Sequence, residues 1–441
     1  MDAYAEPTIS ARVEQYLPQG RNWYVGTPIE TNIAAAGALT TAGATSVSYY
    51  SEELGWQHTY TGNLAEGVGY VAASASGTNT NKVNFVGKLN SGDVPVTLTR
   101  KAVDGFAGYN LIANPYPSYI NPMAAINANV KIEGTIWYRT RKTVSPYEYK
   151  FETVNTISGV GTNAAGTGTV TGYIPPMQAF WVRALADEQP FKFTNAMRIH
   201  AGKVKVGADS VPTTPLKAKK LENQKLARIV VAGAAGSDEA VLYFDENASN
   251  SYDKYDSRKR FEQATASLPE IYSTVNDEKL TINGLNDVTY DLEIPLGFIA
   301  KQKGDYSISK SEMMNFETGT RLVLKDKFYP TLETELVAGS VYNFSSEITT
   351  GTDRFSVLFR APGSITGVNE VEKSSAQVFV NAANQLVISA AEKCNFSIYN
   401  GLGQLVQGGA ITPNAQTANL KLAAGLYVVK LNNKSTRVIV K

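Results

Sequence analysis

Apolar and polar residues alternate at every second position through almost the whole of this 441-residue chain. Runs such as "KVNFVGKLN", "VPVTLTR", "ARIVVAG", "AVLYFDE", "TRLVLKD" and "RFSVLFR" repeat the pattern. Successive side chains of a strand point to opposite faces, so period 2 gives a strand one apolar and one polar side. In "RFSVLFR", Phe355, Val357 and Phe359 fall on one face. Gly, Asn and Pro bound the runs, as turns require. Helical periodicity is nearly absent and no strand-helix-strand unit stands out, so the class is all-β, built as multidomain β-sandwiches. Short helical turns are expected near "NPMAAINANV" and "SRKRFEQAT".

Two breaks in composition divide the chain. Residues 203–225 are rich in Pro, Thr and Lys and poor in aromatics, and residues 361–374 read "APGSITGVNEVEKS". Both have the composition of linkers. The expected division is a β-rich module at 7–204, a linker at 205–225, a β-sandwich at 226–361, a linker at 362–374 and a last domain at 375–441. The first module carries an internal echo. "NWYVGTPIE" at 22–30 resembles "YNLIANPYPS" at 109–118, and "GVGYVAAS" at 67–74 resembles "PMQAFWVRA" at 176–184. In the first pair an apolar strand runs into a small residue, a polar residue and then Pro. Two related β-units of roughly ninety residues are expected.

Composition excludes several chemistries. The 41 Lys and Arg against 40 Asp and Glu leave no basic footprint for nucleic acid. The polar residues after Met1 read as a domain edge and not as a signal peptide. No apolar run approaches the ~18 residues of a membrane helix. A single cysteine, Cys394, and two histidines, His58 and His200, are the whole stock for a zinc site, a Cys-His nucleophile or a serine triad. Cys394 reads as a small apolar strand residue. Glycines in "RIVVAGAAGSDEAVLYF" and "GVGTNAAGTGTVTG" lack the spacing of a phosphate cradle and read as hairpin tips.

Three constellations remain. Asp245, Glu246, Asp253 and Asp256 cluster in "YFDENASNSYDKYDSRK". Such oxygen ligands suit calcium, which makes Asp245, Asp253 and Asp256 candidate ligands; no other cofactor is expected. The order of ligands in an EF-hand is missing, and nearby lysines and arginines offer these acids partners. Trp23, Trp56, Trp137 and Trp181 all lie in the first module, where exposed rings would stack on glycans and buried ones would fill a core. Trp23-Tyr24 and Trp137-Tyr138 are neighbours in strands, so each pair points to opposite faces.

The last domain is the most legible. Leu386 with Ile388, and Phe396 with Ile398, share faces of successive strands. Asn400-Gly401 predicts a two-residue type I′ hairpin turn, which needs φ > 0 at both positions. "NLKLA", "GLYVVKLN" and "TRVIVK" follow, giving six or seven short strands and an immunoglobulin-like sandwich.

Ile398-Tyr399-Asn400, Gly403-Gln404, Val406, Leu420, Leu422, Gly425, Tyr427, Val429 and the terminal Lys441 resemble the type A C-terminal sorting domain of type IX secretion in Bacteroidota. Family members often enter with a Tyr-Pro-Asn-Pro-like strand, where this chain has "VFVNAANQ". Upstream, "GYNLIANPYPSYI", "YIPPMQAFWVRA" and "YDKYDSRKRFE" resemble the bodies of adhesin-like surface proteins that carry such tails. The resemblance implies a secreted or cell-surface location, with outer-membrane secretion machinery and a sortase as partners. It implies cutting in the linker before the tail. Asp209-Ser210-Val211 resembles an O-glycosylation acceptor of the same phylum, with Ser210 as the modified residue. The implied function is a non-enzymatic adhesin-like or structural surface protein, facing surface glycans or host proteins. The alternative is the carbohydrate-binding region of a larger secreted enzyme.

Overall fold

A computed structural model describes residues 10–17, 21–30, 39, 44–74, 82–102, 106–141, 149–163, 170, 172–199, 223–262, 267–330, 333–363, 377–381, 384–389, 393–411, 417–431 and 434–440. Ser210, His200, Lys441 and nearly all of both expected linkers lie outside the described residues.

The first module is two copies of one topology. In the first unit, Ala11–Tyr16 pairs antiparallel with Lys82–Gly87. Its four-stranded sheet runs Asn22–Val25, Tyr70–Ser74, Ala44–Ser51, Gly55–Gln57. In the second unit, Val94–Leu98 pairs with Gln189–Phe193. Its four-stranded sheet runs Tyr109–Ala113, Ala179–Arg183, Thr135–Arg141, Tyr149–Asn155. Each unit thus pairs its two outer strands and orders the four between them alike, and the second unit adds the two-residue pair Tyr119–Ile120 with Arg198–Ile199. The second unit has a short helix, Met123–Ala128, where a helical turn was expected.

The two units meet about an approximate two-fold axis. Gly26 N donates to Met177 O at 2.8 Å, and the equivalent Ala113 N donates to Gly67 O at 2.9 Å. Both acceptors have left-handed backbones, with φ of +72° at Gly67 and +61° at Met177. The polar residue that follows closes the same turn in each copy. Thr27 Oγ1 accepts from Ile29 N at 3.4 Å, and Asn114 Oδ1 accepts from Tyr116 N at 2.9 Å. Gly26 must be small, because a Cβ there would sit 2.3 Å from that of Ala113.

Each four-stranded sheet is covered on both sides. Val25, Val47, Tyr70 and Ala72 face the core of the first unit, and Ile112, Ile136, Phe180 and Val182 that of the second. The opposite faces contribute Val71, Tyr109, Leu111, Trp137 and Trp181 to one shared cluster. The neighbours Trp137 and Tyr138 do point to opposite faces, but both are buried.

Residues 226–360 form one hydrogen-bonded sheet whose ends are Glu333–Glu335 and Val341–Ser346. It covers a core containing Leu242, Phe298, Phe344, Phe355 and Phe359, and a second cluster joins its Leu226, Val241, Tyr243 and Ile282 to Val160 of the first module. Phe344 and Phe355 touch with ring centroids 4.8 Å apart. Leu226–Gly233 and Gly236–Phe244 pair around a tight turn, so the glycines of "VAGAAGS" form a hairpin tip.

Among the described residues, the last domain is a seven-stranded sandwich. One sheet runs Gln377–Val380, Leu386–Ser389, Thr417–Leu420; the other runs Leu405–Ile411, Cys394–Asn400, Gly425–Leu431, Lys434–Val440. Leu386, Ile388, Phe396, Ile398, Val429 and Val438 fill the space between them. The three-plus-four arrangement is immunoglobulin-like.

Candidate functional site

The densest polar constellation lies where residues 254–262 cross the sheet of the second unit. The expected helical turn in "SRKRFEQAT" is absent from the described part of that stretch. Ser257–Arg258 is a strand, and residues 259–262 continue without helix. The reason is burial: Ser257, Lys259, Arg260 and Glu262 are all nearly inaccessible, and each has partners on more than one element.

Thr135 Oγ1 donates to Ser257 Oγ at 2.9 Å, and Trp137 Nε1 donates to Arg258 O at 3.1 Å. Arg139 Nη1 donates to Glu262 Oε1 at 2.6 Å, and Phe151 N donates to the same oxygen at 2.8 Å. Arg258 Nη1 lies 3.1 Å from Glu133 Oε2, which Arg183 Nη1 also reaches at 3.0 Å. These contacts join the first module to the 226–360 sheet through a buried, charged seam. Removing one partner from a buried pair leaves the other charge without compensation, at about 3–5 kcal/mol.

Arg260 sits at the centre of the seam among the shared aromatics. Its guanidinium carbon is 3.8 Å from the ring centroid of Trp181, 4.1 Å from Tyr109 and 4.6 Å from Phe151. Its Nε and Nη1 make no hydrogen bond. Burial pushes its pKa down to about 10, against the pull of nearby tyrosines. The rings interlock further: Tyr50 lies 4.8 Å from Trp181 and 5.4 Å from Trp56.

This geometry revises the aromatic expectation. Trp137 and Trp181 are 0% and 1% exposed, so neither offers a ring face to a sugar. Trp56 is half-buried in the same cluster, and Trp23 is half-buried with Arg21 4.0 Å above its ring. Covered sheets are the reason: a residue facing away from one core faces another.

The acidic stretch binds mostly its own backbone. Asp245 Oδ1 accepts from Asn247 N at 3.0 Å. Asp253 accepts from Ser249 N at 2.8 Å and Tyr255 N at 2.7 Å. Asp256 accepts from Asp253 N at 2.7 Å and Gly284 N at 2.9 Å. The acids are thus turn anchors that aim the chain into the seam, satisfying backbone donors that a bend would otherwise leave unpaired. Among the described residues, no three His, Cys, Asp or Glu side chains gather as a metal-holding group. The expected lysine and arginine partners pair elsewhere: Lys259 with Asp238, and Arg258 with Glu133 and Glu278.

In the last domain, Ile398 and Tyr427 are core residues, whereas Gly403 and Gln404 are exposed in the hairpin loop. The turn differs from the expected type I′. Asn400 and Gly401 do not have positive φ; Gly403 does, at +80°. Gly403 N donates to Asn400 O at 2.9 Å, and Asn400 Oδ1 accepts from Leu402 N and Gln404 N at 3.0 Å each. A longer loop with a left-handed glycine at its fourth position replaces the two-residue turn. Outside the sandwich, Leu402, Leu405 and Ile439 are 86%, 61% and 66% exposed. Cys394 is buried in the core, as expected of a small apolar residue. His58, exposed, meets Ser48 Oγ at 3.1 Å.

Residues 381–441 match the family described as a secretion system C-terminal sorting domain. Over 383 residues the chain is 21% identical to the minor fimbrium subunit Mfa5 of Porphyromonas gingivalis, covering 81% of this chain and 29% of that protein. The chain therefore spans less than a third of the length of the curated relative. A solved structure titled "Biofilm associated protein - BSP domain" aligns over 98% of this chain and 92% of its own at 10% identity, but a TM-score of 0.16 carries no argument. With its type IX sorting tail, the protein is exported to the cell surface or extracellular space as a Bacteroidota surface protein. Residues 24–359, most of the sequence and both sides of the seam, match one further model, and the chain belongs to the family described as domain of unknown function (DUF8693).

Proposed function

We propose that this protein is a non-enzymatic, adhesin-like structural component of the cell surface. Its body, 7–204 with 226–361, acts as one braced unit, and residues 375–441 deliver it. The observation that supports this most is the seam. Its charged and aromatic side chains are spent on holding the two modules together, which suits a load-bearing part. The likeness to a fimbrial subunit points the same way. In this reading, secretion machinery recognises the exposed face of the tail around Leu402, Leu405 and Ile439, and a sortase cuts in 362–374. The body then meets surface glycans or host proteins through groups outside the buried tryptophans.

Two experiments test the proposal. Deleting 375–441 is expected to leave the protein in the periplasm; normal surface display of the deletion refutes the delivery role. Cells lacking the protein are expected to lose adherence to a host-cell or glycan-coated surface, restored by the full chain. Unchanged adherence counts against the adhesin role.

A further inference from the structure

Lys259, Asp238 and Glu270 line one small cavity at the edge of the seam. All three are buried, at 8%, 6% and 1% exposure respectively. Lys259 Nζ is in direct contact with Asp238 Oδ2. The same Oδ2 accepts the backbone N–H of Ile271 at 2.9 Å, which fixes the carboxylate against the residue after Glu270. Glu270 interacts electrostatically with both Lys259 and Asp238, and its Oε1 is paired with Lys301 Nζ at 3.0 Å. The other nearby acid, Glu262, is held by Arg139 and the Phe151 amide.

We propose that Lys259 and Asp238 become joined by an amide bond that the folded protein forms by itself, with Glu270 moving the protons. A lysine nucleophile needs a neutral amine and a carbonyl carbon that is not a carboxylate. Burial pulls the Lys259 ammonium down, but Asp238 and Glu270 more than offset it, so the lysine begins charged. Transfer of one proton from Lys259 to the Asp238 carboxylate makes both partners neutral, the pairing that a dry interior favours over separated charges. The amine lone pair then adds to Asp238 Cγ, and the carbonyl electron pair moves onto the other carboxyl oxygen, Oδ1. Glu270, ionised beside Lys301, takes a proton from the nitrogen. When the intermediate collapses, it gives that proton to the departing hydroxyl. One C–N bond forms, one C–O bond breaks, one water leaves, and Glu270 ends as it began. No oxidant or other reactant is needed.

The link would tie the strand Gly236–Phe244 to the segment that crosses the first module, 21 positions along the chain. A covalent ring restricts the unfolded chain and resists pulling, as a disulfide does. With one cysteine, this chain has no disulfide of its own to do so.

Intact-mass measurement of the purified full chain under denaturing conditions tests the inference. The expected mass is lighter than the sequence by one water, with a branched tryptic peptide joining the Lys259 and Asp238 segments. Glu270→Gln, which keeps both partners, is expected to return the full mass. A wild-type chain of full mass overturns the proposal, as does a lost water that fragment ions place elsewhere. A Glu270→Gln chain that still lacks one water overturns the role given to Glu270. The wild-type measurement needs no variant to fold.

Discussion

Replacing Arg260 by methionine should leave the protein as stable as before or make it more so, whereas alanine should weaken it. The charged form is disfavoured in place, with a pKa of about 10 against an ordinary 12.5. At ~1.4 kcal/mol per pKa unit, that is roughly 3 kcal/mol against burying the cation. Its ring contacts return about 0.5–2 kcal/mol each. Methionine loses these but gains sulfur-aromatic contacts of ~0.3–1.5 kcal/mol and no longer leaves Nε and Nη1 without partners. Comparable replacements of buried ionic groups by apolar ones are neutral or stabilising by ~1–4 kcal/mol. Alanine also removes the charge but opens a cavity among Trp181, Tyr109 and Phe151, for a loss of about 2–4 kcal/mol. Urea titration followed by tryptophan fluorescence reads this directly, because Trp137 and Trp181 belong to the same cluster. A loss of more than ~2 kcal/mol in Arg260→Met, on the scale of breaking a buried pair, would refute the reasoning. It would mean that the charge is required.

Two further predictions rest on single contacts. Gly26→Ala should cost ~1–3 kcal/mol by overpacking against Ala113, and adding Ala113→Gly should recover most of it, since the two positions face each other; additive losses in a double-mutant cycle refute the two-fold contact. Asp256 has its pKa raised by burial from 3.8 to about 7, so the native state holds a proton that the unfolded chain gives up. Its contribution is therefore present below pH ~4 and lost as pH rises through ~7, by up to ~4 kcal/mol. Urea midpoints between these values should fall more steeply for the wild type than for Asp256→Asn, and parallel slopes refute the assignment.

Much of the architecture was open to view in the sequence because it depends on local pattern. Period 2 gave the strands, and "GTP" against "ANP" marked two turns that prove to be equivalent. Hydrophobic alternation in the tail placed Ile398, Tyr427 and Val429 in one core. The seam was hidden for the opposite reason. "SRKRFE" is charged, and charge in one stretch of sequence suggests solvent. Its burial depends on Arg139, Trp137 and Glu133, more than a hundred positions away, which no local window contains. The tryptophans were ambiguous for the same reason: whether a ring is a binding platform or a filler depends on what covers the second face of its sheet. Likewise, the type of the turn at Asn400 was decided by Gly403, two residues beyond the dipeptide that suggested it.

The seam also has a bearing on how such proteins are inherited. A recombination event that exchanged only the front module would strand Glu262 without Arg139 and Arg260 without the rings of Trp181, Tyr109 and Phe151. Each would then be a buried charge with no match. An exchange at the linker before the tail would cross none of these contacts. The family match, running unbroken from 24 to 359, is what such a constraint would leave behind. The two modules are therefore expected to pass between genomes as one cassette, while delivery tails are traded freely behind them.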